Sequence, residues 1–217
     1  MINFYRYHTS KLDSHKLYAN DIDLLQRGGG NNSKLMPRLE HMIKKDPMLA
    51  YWYSKDIKGR WPEAEPYILT NVSYSYLYSK EILKERWLDA EPLIVQHPHY
   101  SIQYIEQFIH ERWTEAEPYI LEDLYYIQRY AREVIKGRWP EAEPIILSKG
   151  MGYVVLYAEE IIKGRWPEAE PFILDYPYYA LPYSINIMKA PWVEAEPMLR
   201  QHTEYWGKYV RHFGIRG

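Results

Sequence analysis

Lys136-Gly-Arg-Trp-Pro-Glu-Ala-Glu-Pro144 decides the fold, because it is one copy of a unit that recurs along the chain. The pattern R-W-x-(E/D)-A-E-P begins at Arg60, Arg86, Arg112, Arg138 and Arg165. A degenerate copy runs from Pro191 through Trp192, Val193, Glu194, Ala195 and Glu196 to Pro197. The steps between copies are 26, 26, 26, 27 and 26 residues. Self-similarity at a fixed period of this size marks a repeat architecture.

The residues between the copies give each unit its local structure. A Tyr stands at one position in every unit: Tyr53, Tyr78, Tyr104, Tyr130, Tyr157, Tyr183 and Tyr209. Four residues earlier come Leu49, Tyr74, Tyr100, Tyr126, Tyr153, Tyr179 and Tyr205. Four residues later come Ile57, Ile82, Phe108, Val134, Ile161, Ile187 and Phe213. Apolar residues at i, i+4 and i+8 lie on one face of an α-helix. The Pro of E-A-E-P constrains the start of helix A, since proline fits only a first turn. Each unit therefore reads as a helix A of about two turns starting near E-A-E, a short break, and a longer helix B ending at K-G-R-W. Carboxylates fall at the positive end of A and Lys and Arg at the negative end of B, which suits both helix dipoles. The expected fold is all-α, an α-solenoid of about seven helix-turn-helix repeats.

The array is expected over residues 34–217. Pro37-Arg-Leu-Glu40 aligns with Pro62-Glu-Ala-Glu65 as a diverged first copy. Tyr53 to Trp61 spans 8 residues against 9 in later copies, so one residue is expected to be missing from that second helix. The extra residue of the 27-residue step is expected in the loop Lys149-Gly150-Met151-Gly152. Residues 1–33 fall outside the repeat and read as an N-terminal cap or arm. Within them 14–25 is a candidate helix, followed by a glycine-rich break at Arg27-Gly-Gly-Gly. The last unit lacks K-G-R-W, as a C-terminal cap would.

Composition narrows the function classes. The 217 residues include 27 basic and 29 acidic side chains, so no global field favours nucleic acid. There is no cysteine, hence no disulfide framework and no thiolate chemistry. No apolar run approaches the ~20 residues of a membrane span, and the N-terminus lacks a signal-peptide core. A soluble cytoplasmic protein with no membrane association is the expectation.

The repeated residues read as scaffold. Arg60 and Glu65, Arg86 and Glu91, Arg112 and Glu117, Arg138 and Glu143, and Arg165 and Glu170 recur at one spacing. An active site needs one such arrangement, whereas a fold needs it each time. They are expected to tie helix B to the next helix A, with the tie lost where Pro191 faces Glu196. The Trp row and both Tyr rows are assigned to the core. No residue pattern suggests a catalytic group, a metal site or a cofactor. The histidines lack carboxylate or thiolate partners at ligand spacing, and the Arg27 loop is no phosphate loop.

The row two residues before the recurring Tyr is different. It lies about 160° from the core stripe at ~100° per residue. It holds Tyr51, Tyr76, Ile102, Gln128, Val155, Leu181 and Gly207. The next position holds Trp52, Leu77, Gln103, Arg129, Leu156, Pro182 and Lys208. Apolar residues that vary between units suggest a partner-binding strip. The candidates are Tyr51, Trp52, Tyr76, Leu77, Ile102, Val155, Leu156 and Leu181. The alternative for this row is packing on a neighbouring helix.

The stretch from Tyr130-Ala-Arg-Glu-Val-Ile-Lys through Pro144, with its repeats, resembles short α-helical repeats in proteins of tailed bacteriophages and other viruses. The resemblance covers about residues 34–217. It implies an all-α fold and a viral origin, and carries over no catalytic residue. The functional expectation is a non-enzymatic protein-binding scaffold, a phage protein that binds or inhibits a host defence protein in the host cytoplasm. The alternatives are a nucleic-acid-binding α-solenoid using the row of Lys58, Lys84, Lys136, Lys163 and Lys189, and a self-associating assembly protein.

Overall fold

The structure, a computed structural model, describes residues 40–215. The expected arm over 1–33 and the start of the array at 34 lie outside those residues. The described residues are helical, with no strand among them. They fall into two compact units, one reaching to His110 and the other starting at Glu111.

The first unit contains α1 (Pro47–Tyr53), α2 (Glu65–Ile68), α3 (Val72–Tyr78), α4 (Glu91–Ile94) and α5 (Pro98–Tyr104). The second contains α6 (Glu117–Ile120), α7 (Leu124–Tyr130), α8 (Glu143–Lys149), α9 (Met151–Tyr157), α10 (Glu170–Ile173), α11 (Pro177–Pro182), α12 (Glu196–Arg200) and α13 (Thr203–Phe213). Within the first unit, B helix α3 packs between α1 and α5. Within the second, α7, α9, α11 and α13 pack in that order, each on the next. The A helices lie against the B helices as a second layer. This is the expected all-α fold of repeated helix pairs, of the α-solenoid kind.

Helix A is shorter than its sequence suggests. Four of the E-A-E-P copies give a single α-turn, as in Glu65–Ile68. A turn precedes it, with the Ala64 N–H bonded to the Trp61 carbonyl at 2.9 Å. The turn ends quickly because the next helix is capped at once. Asn71 accepts from the Tyr74 N–H at 3.2 Å, and Asp123 from the Tyr125 N–H at 2.8 Å. The motif alanines Ala64, Ala90, Ala116, Ala142, Ala169 and Ala195 are fully buried, where a larger side chain would push the two layers apart.

Helix B begins as an α-helix and widens into a π-type turn. The Lys84 N–H reaches back to the Ser79 carbonyl at 2.7 Å and that of His110 to Ile105 at 2.8 Å, five residues each. The residue closing this turn, six after the recurring Tyr, has positive φ: Gly59, Lys84, His110, Lys136, Lys163 and Lys189. In the first hairpin Gly59 fills that place. The missing residue therefore falls in the joint just after the turn, not in the helix. The extra residue of the 27-residue step is also accommodated differently from expectation. It lengthens α8 to Lys149, leaving Gly150 alone between α8 and α9. Among the described residues no helix is long and apolar enough to cross a membrane.

Candidate functional site

The joint between hairpins is a hydrogen-bonded clasp built from the motif. In the first unit the Tyr78 hydroxyl accepts from the Trp61 backbone N–H at 2.6 Å and donates to Glu65 at 3.3 Å, while Arg60 grips the same carboxylate at 3.0 Å. Tyr104, Trp87, Glu91 and Arg86 repeat this arrangement. In the second unit Tyr130 joins Trp113 and Glu117, Tyr157 joins Trp139 and Glu143, and Tyr183 joins Trp166 and Glu170. Arg112, Arg138 and Arg165 hold those carboxylates with two nitrogens each. The Trp N–H lies just ahead of helix A, where a buried donor would otherwise have no acceptor.

Two terminal copies vary the clasp. At the first joint Tyr53 donates to Glu40 at 3.2 Å and Lys58 supplies the cation at 2.9 Å, so Glu40 matches Glu65 as aligned. At the last, Tyr209 accepts from the Trp192 N–H and donates to Glu196. The pair with position 191 is absent there, but Glu196 is not abandoned. Arg200, four residues on, bonds it at 3.3 Å.

The electrostatics match a structural role. Burial, aided by the neighbouring Glu, pushes Tyr78, Tyr157 and Tyr183 up to about 12. The bond from Arg165, with that from Tyr183, holds the Glu170 carboxyl below its ordinary range. These hydroxyls stay protonated and serve as fixed donors. The motif Trp side chains are buried and packed on the Tyr of the same hairpin, with Tyr78–Trp87 at 5.1 Å and Tyr157–Trp166 at 5.2 Å between centroids.

The candidate partner strip does not form a continuous open surface. Tyr51, Tyr76, Ile102 and Leu181 are buried, and Val155 is half-buried. The helical wheel measures angle about one helix axis, whereas each B helix also packs against a neighbouring B helix of its unit. The row two before the Tyr faces that neighbour, so it packs. The next row is nearer the surface: Trp52 and Leu77 are half-buried and Leu156 is exposed. Charged partners span adjacent B helices beside it, as Tyr51 and Lys55 meet Glu81 in the first unit and Arg132 meets Glu160 in the second. The second Tyr row departs the other way and is less buried than expected, with Tyr74, Tyr100, Tyr126, Tyr153, Tyr179 and Tyr205 all half-buried.

Two surfaces of the second unit remain. On the joint side, a cleft of about 350 Å³ is lined by Glu159, Lys163, Gly164, Asn186, Ile187 and Lys189. Its mixed charge gives it no single-sign field. On the opposite side, where each A helix turns into its B helix, aromatic rings stand in solvent. Tyr125 is 54% exposed, Phe172 48%, Tyr176 50% and Tyr178 65%. The signal for this edge is present in Tyr176-Pro-Tyr-Tyr179 and Leu124-Tyr-Tyr126, of which only Tyr126 and Tyr179 belong to the second Tyr row expected in the core. Among the described residues no group of three or more His, Asp or Glu is placed to hold a metal ion.

Fold and joints together define a helical-repeat protein whose recurrent residues are used up in holding hairpin to hairpin. Compared with known protein families, curated proteins and solved structures, the chain matches none.

Proposed function

We propose that the chain is a non-enzymatic scaffold that binds a protein partner through side chains that differ from repeat to repeat. The observation that carries this reading is the division of labour in the second unit. The motif Arg, Trp, Glu and Tyr are committed to the clasps. Exposed apolar side chains stand instead at non-recurring identities: Tyr125, Leu156, Phe172, Tyr176 and Tyr178. A regular scaffold presenting variable apolar residues is how helical repeats build binding surfaces. The resemblance to viral repeats extends the reading to a phage protein acting on a host protein in the host cytoplasm.

The test is affinity capture from the host cell, followed by reconstitution with the purified partner and titration calorimetry. Leu156→Glu and Tyr178→Ser are expected to weaken that complex at least tenfold while leaving the fold intact. Unchanged affinity in both variants would overturn the reading. Loss of several decades of affinity between low and moderate salt would point to phosphate contacts and to a nucleic-acid partner instead.

A further inference from the structure

The aromatic edge of the second unit has a gap. Five residues before the recurring Tyr, its first three hairpins carry Tyr125, Gly152 and Tyr178. Tyr125 and Tyr178 are exposed, and the hairpin between them has no side chain at that place. A Cβ added at Gly152 would meet only the Tyr179 ring, its hydroxyl at 3.7 Å. Tyr153 and Tyr179, half-buried, stand beside the gap. Tyr178 and Tyr179 meet edge to face at 5.0 Å and Tyr125 and Tyr126 at 5.1 Å, so the rings brace one another rather than collapsing.

The hydroxyls here are also unlike those of the clasps. Each clasp Tyr of the second unit both accepts and donates within the protein. Among the described residues the hydroxyls of Tyr125, Tyr153, Tyr178 and Tyr179 make no hydrogen bond, leaving donors on an apolar edge. The charge around them is acidic: in the turns of these three hairpins Glu122, Asp123 and Asp175 are exposed, against one cation, Lys149.

These features select among partners. Phosphate backbones are disfavoured by the carboxylates. A β-strand partner needs a sheet edge, and the described residues hold no strand. A polyproline II segment needs what is present: aromatic walls for its proline rings, and donors for backbone carbonyls that have no internal bonds. The pitch fits as well. Three residues of that helix advance about 9 Å, and packed helices stand about 8–10 Å apart, so prolines three apart meet successive hairpins.

We propose that this edge, with Gly152 as its floor and Tyr125 and Tyr178 as its walls, docks a proline-rich protein segment flanked by Arg or Lys. This rests on the protein-binding reading above and names the kind of partner. The test is selection by the full chain from a displayed library of random peptides about twelve residues long. Recovered peptides are then measured by fluorescence anisotropy. The expected result is enrichment of proline at every third position with a neighbouring Arg or Lys. Tyr178→Ala and Gly152→Tyr should each weaken binding at least tenfold with the melting temperature unchanged. Tyr125→Ala provides the same test if either fails to fold. Selected peptides without proline, or proline peptides indifferent to these variants, would overturn the inference while leaving the protein-binding reading standing. Recovery of no peptide, with tight binding of a single-stranded oligonucleotide, would overturn both.

Discussion

Tyr130→Phe removes one oxygen from one clasp and should be felt by the whole unit. Tyr130 is fully buried, accepts from the Trp113 N–H at 3.0 Å and donates to Glu117 at 3.0 Å. Phenylalanine keeps the ring contact with Trp139, whose centroid lies 5.0 Å away, so little packing is lost. The Trp113 N–H is left without its acceptor, at a cost of about 1–3 kcal/mol if it stays dry. Glu117 keeps its paired bonds from Arg112, so the lost donor there costs about 0.5–1 kcal/mol. The expected loss is about 1.5–4 kcal/mol. Tyr126→Phe is the control: the ring is half-buried, and its hydroxyl makes no hydrogen bond among the described residues. It should change stability by less than about 0.5 kcal/mol. Urea unfolding followed by far-ultraviolet circular dichroism reads both, with the slope compared because repeat arrays can unfold in steps. Equal stabilities for the two variants would refute the argument that the hydroxyl matters.

Other consequences follow from the same geometry. Trp113→Ala should cost roughly 3–5 kcal/mol, since the ring is buried; a urea midpoint near wild type would contradict this. Lys136→Gly should stabilise by about 0.5–1 kcal/mol, because Lys136 holds a left-handed φ of 59°, and its melting temperature should rise. Ile102→Glu should unfold the first unit rather than merely weaken binding, because the side chain is fully buried; a folded variant by circular dichroism would contradict this. Raising the pH should unfold the protein between about 10 and 12. Tyr78, Tyr157 and Tyr183 are raised from 10.0 to about 12 when folded, so the unfolded chain releases those protons first and stability falls as pH rises through that window. A pH titration of unfolding free energy with no decline before pH 12 would refute it.

The period of the motif was enough for the helix pairs, the buried Trp row and the Arg–Glu ties, because those depend on spacing within one joint. What lay beyond the motif was less visible. Burial of Tyr51, Tyr76, Ile102 and Leu181 depends on what lies beside helix B, which no wheel of a single helix contains. The bond from the Trp113 N–H to the Tyr130 hydroxyl spans 17 residues. Its trace in the sequence is the Tyr at that position in all seven copies, never Phe, although Phe108 and Phe213 occupy the next turn. The left-handed seat of Lys136 was hidden by Gly137, the more obvious residue for it. Gly59 holds the equivalent seat in the first hairpin because distance from the Tyr, not the K-G pair, sets the place. The aromatic edge was obscured for a related reason: averaging over copies hides the residues that make one copy unlike the next.

Amide hydrogen exchange at the motif tryptophans tests most directly the claim that the recurring stretch is a structural joint. Trp61, Trp87, Trp113, Trp139, Trp166 and Trp192 each donate a backbone N–H to a Tyr hydroxyl at 2.6–3.0 Å. Such amides, ahead of a helix, have no partner within it. The clasp predicts that all six exchange as slowly as the core of helix B, and that Tyr130→Phe speeds exchange at Trp113 more than at the other five. Exchange of the Trp amides at the rate of the exposed joint residues beside them would contradict it.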